Sequence, residues 1–133
     1  MKTVLTLGAA VTVLLGTATP VSAAANPKTS YTVRHGKSYV TGSLIWYNRS
    51  IQVGGTLRAD RGCRTAVYTV WAGRRQIDRE TRSACGRTAR HGFKLSANVR
   101  GGASQVVVDI FQGVVRQDRK YCERWGCFIY GVR

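Results

Sequence analysis

Along most of this chain apolar and polar residues alternate with a period of two, and no stretch repeats its apolar positions about every 3.6 residues as an amphipathic helix would. Residues 38–47 predict a first strand through Tyr39, Val40, Leu44, Ile45, Trp46 and Tyr47, with Gly42 as a bulge candidate. Asn48-Arg49-Ser50 turns the chain into a strand over 50–58 carrying Ile51, Val53 and Leu57, and Asp60-Arg61-Gly62 turns it again. Residues 64–71 place Thr65, Val67, Thr69 and Trp71 on one face and Ala66, Tyr68 and Val70 on the other. Both faces are partly apolar, which predicts a central strand. Ala72-Gly73 reads as a hairpin tip leading to 74–82, where Ile77 alone is large and apolar, so that segment is an edge strand guarded by charge. Further strands are expected over 91–97 (Phe93, Leu95), over 104–112 (Val106, Val108, Ile110) after a Gly101-Gly102 turn, and over 127–132 (Phe128, Tyr130). Six or seven short strands without crossover helices predict an all-β fold, a single antiparallel β-sandwich.

The N-terminus has a different pattern. Met1-Lys2 precedes an uncharged apolar run from Val4 to Gly16, Pro20 breaks it, and Val21-Ser22-Ala23 offers small residues for cleavage. This predicts a signal peptide over 1–23, with cleavage possible up to residue 25. The run is too short for a membrane helix, which needs about 20 apolar residues. Residues 24–37 are expected to be a flexible N-terminal segment, and 38–133 the sandwich domain.

Export gives the cysteines an oxidising environment. Cys63, Cys85, Cys122 and Cys127 allow three connectivities, and their spacing favours Cys63–Cys85 with Cys122–Cys127. The longer bridge would stabilise by roughly 3 kcal/mol through loop closure. The spacings do not suit zinc, which wants shorter cysteine pairs. No metal or other cofactor is expected.

The 133 residues hold 21 Lys plus Arg against 6 Asp plus Glu, a formal charge of +15 that becomes +14 once Lys2 leaves with the signal peptide. Arginine contributes 16 of the basic residues. A compositional explanation competes with a functional one, because exposed Arg keeps a small domain soluble and also binds phosphate or carboxylate bidentately. Teichoic acid, acidic polysaccharide, anionic lipid and extracellular nucleic acid are the polyanions that such a surface would meet outside a cell.

The segments Leu44-Ile45-Trp46-Tyr47-Asn48-Arg49-Ser50, Gly62-Cys63, Trp71-Ala72-Gly73, Ile77-Asp78, Thr81-Arg82 and Cys85 carry a resemblance. Over about residues 42–112 the chain resembles small uncharacterised secreted proteins of streptomycetes and related actinobacteria. That resemblance implies secretion and a β-sandwich, and it implies no catalytic residues. The chain departs from the group in its Arg content and in its long, basic C-terminal extension.

Residues 119–130 are the sharpest local feature, interleaving Arg119, Lys120 and Arg124 with Tyr121, Trp125, Phe128 and Tyr130 around the Cys122/Cys127 pair. Arg119, Lys120, Arg124 and Trp125 form the candidate polyanion or ligand site: Trp125 would stack a sugar or base while the cations contact phosphate. The structural alternative has Tyr121, Phe128 and Tyr130 closing the core at one end and Trp125 covering the disulfide. It is favoured for the three flanking rings and left open for Trp125.

Catalytic ingredients are sparse. Glu80, Arg82 and His91 are the residue types of small secreted ribonucleases, His35 falls in the flexible segment, and Asp78 and Glu80 would share a strand face about 7 Å apart, within the ~6.5–9.5 Å of inverting glycosidases. Carboxylates beside Arg74 and Arg82 on an edge strand are more often surface ion pairs. No G-x-S-x-G, Walker, zincin or calcium motif is present. The sequence therefore predicts a small exported basic protein that is not an enzyme and binds anionic extracellular or envelope polymers; a secreted inhibitor or antagonist of a specific protein partner is the alternative.

Overall fold

A computed structural model describes residues 26–129 and arranges them as two antiparallel sheets. In chain order the strands are β1 (Lys28–His35), β2 (Ser38–Trp46), β3 (Ser50–Arg58), β4 (Cys63–Ala72), β5 (Arg75–Cys85), β6 (Thr88–Ser96), β7 (Gln105–Gln112), β8 (Val115–Glu123) and β9 (Gly126–Phe128). One sheet has the order β1-β2-β3-β6 and the other β5-β4-β7-β8-β9. The signal peptide expected over 1–23 and the aromatic Tyr130 lie outside the described residues.

The all-β class is as the alternation requires, and so are the central position of β4 and the edge position of β5. Ala66, Tyr68 and Val70 of β4 are fully buried between the sheets with Leu44, Ile51 and Ile110. At the Ala72-Gly73 tip, Gly73 has φ 62°, a left-handed conformation that glycine adopts without steric cost. Both expected disulfides form, each between directly paired residues: Cys63 opposite Cys85 on β4 and β5, and Cys122 opposite Cys127 on β8 and β9.

Three expectations are corrected. Residues 28–35, expected to be flexible, are strand β1, which pairs with β2 from Lys28↔Ile45 to His35↔Ser38. Two large apolar residues suffice there because Tyr31 and Val33 fall on the inward face of a pre-existing sheet edge and are buried. The backbone of Pro27 also accepts a hydrogen bond from Trp46 N at 2.9 Å, and the Trp46 indole donates to Thr29 Oγ1. The second correction is β8, part of the segment read as a C-terminal extension. Its largely polar face is held by neighbours β7 and β9 on both sides, bringing the described strands to nine rather than six or seven. Third, Gly42 is no bulge: β2 and β3 run in unbroken register past it, and the bulges fall at Val70/Trp71 and Ile110/Phe111.

Candidate ligand-binding faces

Strand alternation sends Lys28, Ser30, Thr32 and Arg34 of β1 outward, and pairing continues that surface across β2, β3 and β6. One row reads Lys28, Ile45, Gln52, Lys94; another reads Thr32, Thr41, Thr56, Arg90. A third carries Arg34, Tyr39 and Arg58, with the Arg34 guanidinium 5.5 Å from the Tyr39 ring centroid. Lys28, Arg34, Arg58, Arg90 and Lys94 are all exposed. None of the four strands contains an Asp or Glu. Asp60, in the loop after β3, pairs with Arg58 at 3.7 Å. The remaining carboxylates of the described residues, Asp78, Glu80, Asp109, Asp118 and Glu123, belong to the five-stranded sheet. Lys28 and Arg34 stand about 20 Å apart along β1, and β1 to β6 spans about 14 Å. The result is a cationic face with a floor of hydroxyls and glycines.

The loop residues singled out from sequence do not converge on one site. Arg119 lies on the outer face of the five-stranded sheet, where its guanidinium grips Asp109 directly opposite on β7: Nη2 donates to Oδ2 at 3.1 Å and Nε to Oδ1. That bidentate pair holds the Arg119 pKa above its ordinary value. Lys120 pairs with Val108, a core residue, and so faces the opposite side of β8 from Arg119. Arg124 turns back over Trp46, its guanidinium 5.5 Å from the ring centroid. Trp125, left open in the sequence, is 76% exposed at the β8–β9 turn. Tyr121 and Phe128 do not close the core, because their register opposite Val107 and each other puts them on the sheet's outer face, half-buried and stacked at 6.4 Å.

A second polar cluster lies inside. The register row Tyr31–Gly42–Gly55–His91 crosses the whole four-stranded sheet, and its two central glycines leave room for the outer side chains to lean inward. Tyr31 and His91 meet Tyr68 from the facing sheet, with Tyr31 Oη 2.7 Å and His91 Nε2 2.6 Å from Tyr68 Oη. Tyr31 Oη also lies 3.1 Å from the Gly54 carbonyl, within hydrogen-bonding distance. Burial pushes Tyr31 up to about 12 and Tyr68 higher still. It lowers His91, helped by the positive charge of Arg82.

Arg82 stacks over Phe93 at 4.2 Å and pairs with Glu80 at 2.9 Å, so Glu80, Arg82 and His91 do come together where β5 faces β6. Asp78 accepts from Arg79 N at 2.8 Å and from Ser96 N at 2.7 Å, stitching the edges of the two sheets. His35 ends β1 on the surface. Among the described residues no group of three or more His, Cys, Asp or Glu is placed to hold a metal, and no helix is long and apolar enough to cross a membrane. Comparison with known proteins assigns no family: no family model, curated protein or solved structure matches the chain.

Proposed function

We propose that this chain is an exported, non-enzymatic binding protein for anionic extracellular or envelope polymers, and that the outer face of its four-stranded sheet is the contact surface. The observation that carries this reading is charge segregation: five exposed cations on that face, and not one carboxylate in its four strands. A phosphate or carboxylate polymer crossing the face meets no carboxylate within its strands, Asp60 lying beside Arg58 at its border, and exchanges its counterions for fixed guanidinium and ammonium groups. Ser30, Thr32, Thr41, Ser43 and Thr56 add hydroxyl donors between the charges. Two disulfides and the apolar N-terminal run support export.

Retention on heparin and teichoic-acid resins across a salt series tests the proposal. Changing Lys28, Arg34, Arg58, Arg90 and Lys94 together to Gln should flatten the log–log salt slope by about 3.5, at about 0.7 per single-strand phosphate neutralised. Changing Arg119, Lys120 and Arg124 to Gln should have less effect, since Arg119 is already neutralised by Asp109. If the fivefold variant elutes with the wild type, the face is not the site. The exposure of Trp125 favours a second reading, a secreted inhibitor that plants this ring on a protein partner. That reading requires a stoichiometric complex, recovered from native culture medium, that survives high salt and is lost in Trp125→Ala.

A further inference from the structure

The outer face of the five-stranded sheet has a different chemistry. Val67, Thr69, Val107 and Asp109 point away from the core yet are buried, because larger side chains stand on either side of them. Trp71 on β4 stands at one end and Phe111 on β7 at the other, with Tyr121 and Phe128 of β8 and β9 across β7 from β4, all half-buried. Between them is a trough, a depression of about 290 Å³, lined by Trp71, Phe111 and Tyr121, by the Asp109–Arg119 pair and by Arg79 of β5. Two neighbouring depressions of about 320 and 310 Å³ border it, one sharing Val67, Arg79 and Phe111 and the other Arg119 and Tyr121. β4 and β8 are two strand spacings apart, so the trough is about 10 Å across.

Its charge is what selects an occupant. The chain carries +15, but on the floor of this trough the Asp109 carboxylate, 4% exposed, is locked bidentately to Arg119, and Arg79 is the one lining cation outside that pair. A polyanion meets one unpaired cation there, against five exposed cations on the opposite sheet. A purely apolar segment would cover the carboxylate and guanidinium without hydrogen-bonding them, which is costly. A neutral cyclic polyol suits both parts: its C–H faces lie on aromatic rings, and its hydroxyls accept from the Arg79 and Arg119 guanidinium groups.

We propose that this trough binds a neutral oligosaccharide, with Trp71 and Tyr121 as stacking plates and the Asp109–Arg119 pair as the polar anchor. The site is independent of the cationic face, so one molecule would hold an uncharged glycan on one sheet and an anionic polymer on the other.

Titration calorimetry of the intact mature protein against cellohexaose, chitohexaose, xylohexaose and mannohexaose, at low and high salt, tests the proposal. At least one sugar should bind with the same affinity at both salt concentrations. Trp71→Ala should weaken that binding about tenfold, the loss of about 1.4 kcal/mol of contact. The variant should keep its far-UV spectrum and its heparin retention, which separates loss of this site from unfolding and from failure of the cationic-face reading. Amide shifts on titration should centre on β4, β7 and β8. The proposal is overturned if none of the four sugars binds, if binding disappears with salt, if Trp71→Ala leaves it unchanged, or if an apolar peptide saturates the trough in place of every sugar.

Discussion

Adding one methyl group at Gly55 should damage this protein far more than adding one at Gly54, its neighbour on the same strand. Neither glycine has positive φ, so alanine fits the backbone at both. At Gly54 the new Cβ points outward and meets nothing within 4 Å. At Gly55 it points inward, against the Tyr31 hydroxyl and 2.7 Å from His91 Nε2. Tyr31 cannot retreat, since it is 2% exposed and packed edge-on to Tyr68 at 5.7 Å. The methyl therefore parts the Tyr31–Tyr68–His91 chain. Two lost hydrogen bonds cost about 1 kcal/mol each, and overpacking the interior adds about 1–3 kcal/mol. The total of about 3–5 kcal/mol is a large share of the roughly 5–15 kcal/mol that holds a domain folded. In a domain of this size it corresponds to a fall in Tm of roughly 12–40 °C. Gly54→Ala should be neutral or raise stability by about 0.5–1 kcal/mol, because alanine loses less entropy than glycine in a strand. Gly42→Ala should be as damaging as Gly55→Ala, its Cβ overlapping the Gly54 carbonyl and lying 2.6 Å from Gly55 Cα. Thermal unfolding followed by circular dichroism, with disulfides intact, decides the matter. Equal Tm values for Gly54→Ala and Gly55→Ala would show that the glycine row does not hold the tyrosine–histidine chain together.

Stability should also depend on pH through His91. Its folded pKa lies below the ordinary 6.5 because of burial and then Arg82, so between the two values the unfolded chain binds a proton that the folded one does not. The His91 contribution is complete above about pH 6.5 and is lost as pH falls through the folded pKa; urea unfolding should show this slope in the wild type and lose it in His91→Gln. The Asp109–Arg119 pair should respond asymmetrically to truncation: Arg119→Met strands a carboxylate that is 4% exposed and should cost about 3 kcal/mol, whereas Asp109→Leu frees a guanidinium that can reach water and should cost about 1 kcal/mol. Equal losses in urea melts of the two variants would contradict that account.

Much of this architecture is local, and local chemistry is what a sequence states openly. Two-residue alternation through 50–58, 64–71 and 104–112 sets strand character and assigns inward faces, since side chains on a strand must alternate. Turn residues such as Ala72-Gly73 set hairpin tips, and hairpins bring Cys63 opposite Cys85 and Cys122 opposite Cys127. The remainder depends on neighbours distant in the chain. β1 and β8 have too few apolar residues to declare themselves, and they are strands because neighbouring strands supply backbone partners and a face to cover. Residues 119–125 look like one cationic loop in sequence, but a β-ladder sends adjacent residues to opposite faces, and Asp109 neutralises Arg119 across it. The sites in turn are collected across strands. Lys28 meets Lys94 in one row, Tyr31 meets His91 over two glycines, and Trp71 shares a trough with Tyr121 only because pairing order places β4, β7 and β8 side by side. Alternation is a property of one strand and can be read along it; which strands lie side by side is settled by the packing of the two sheets, and that order decides which charges and rings share a face.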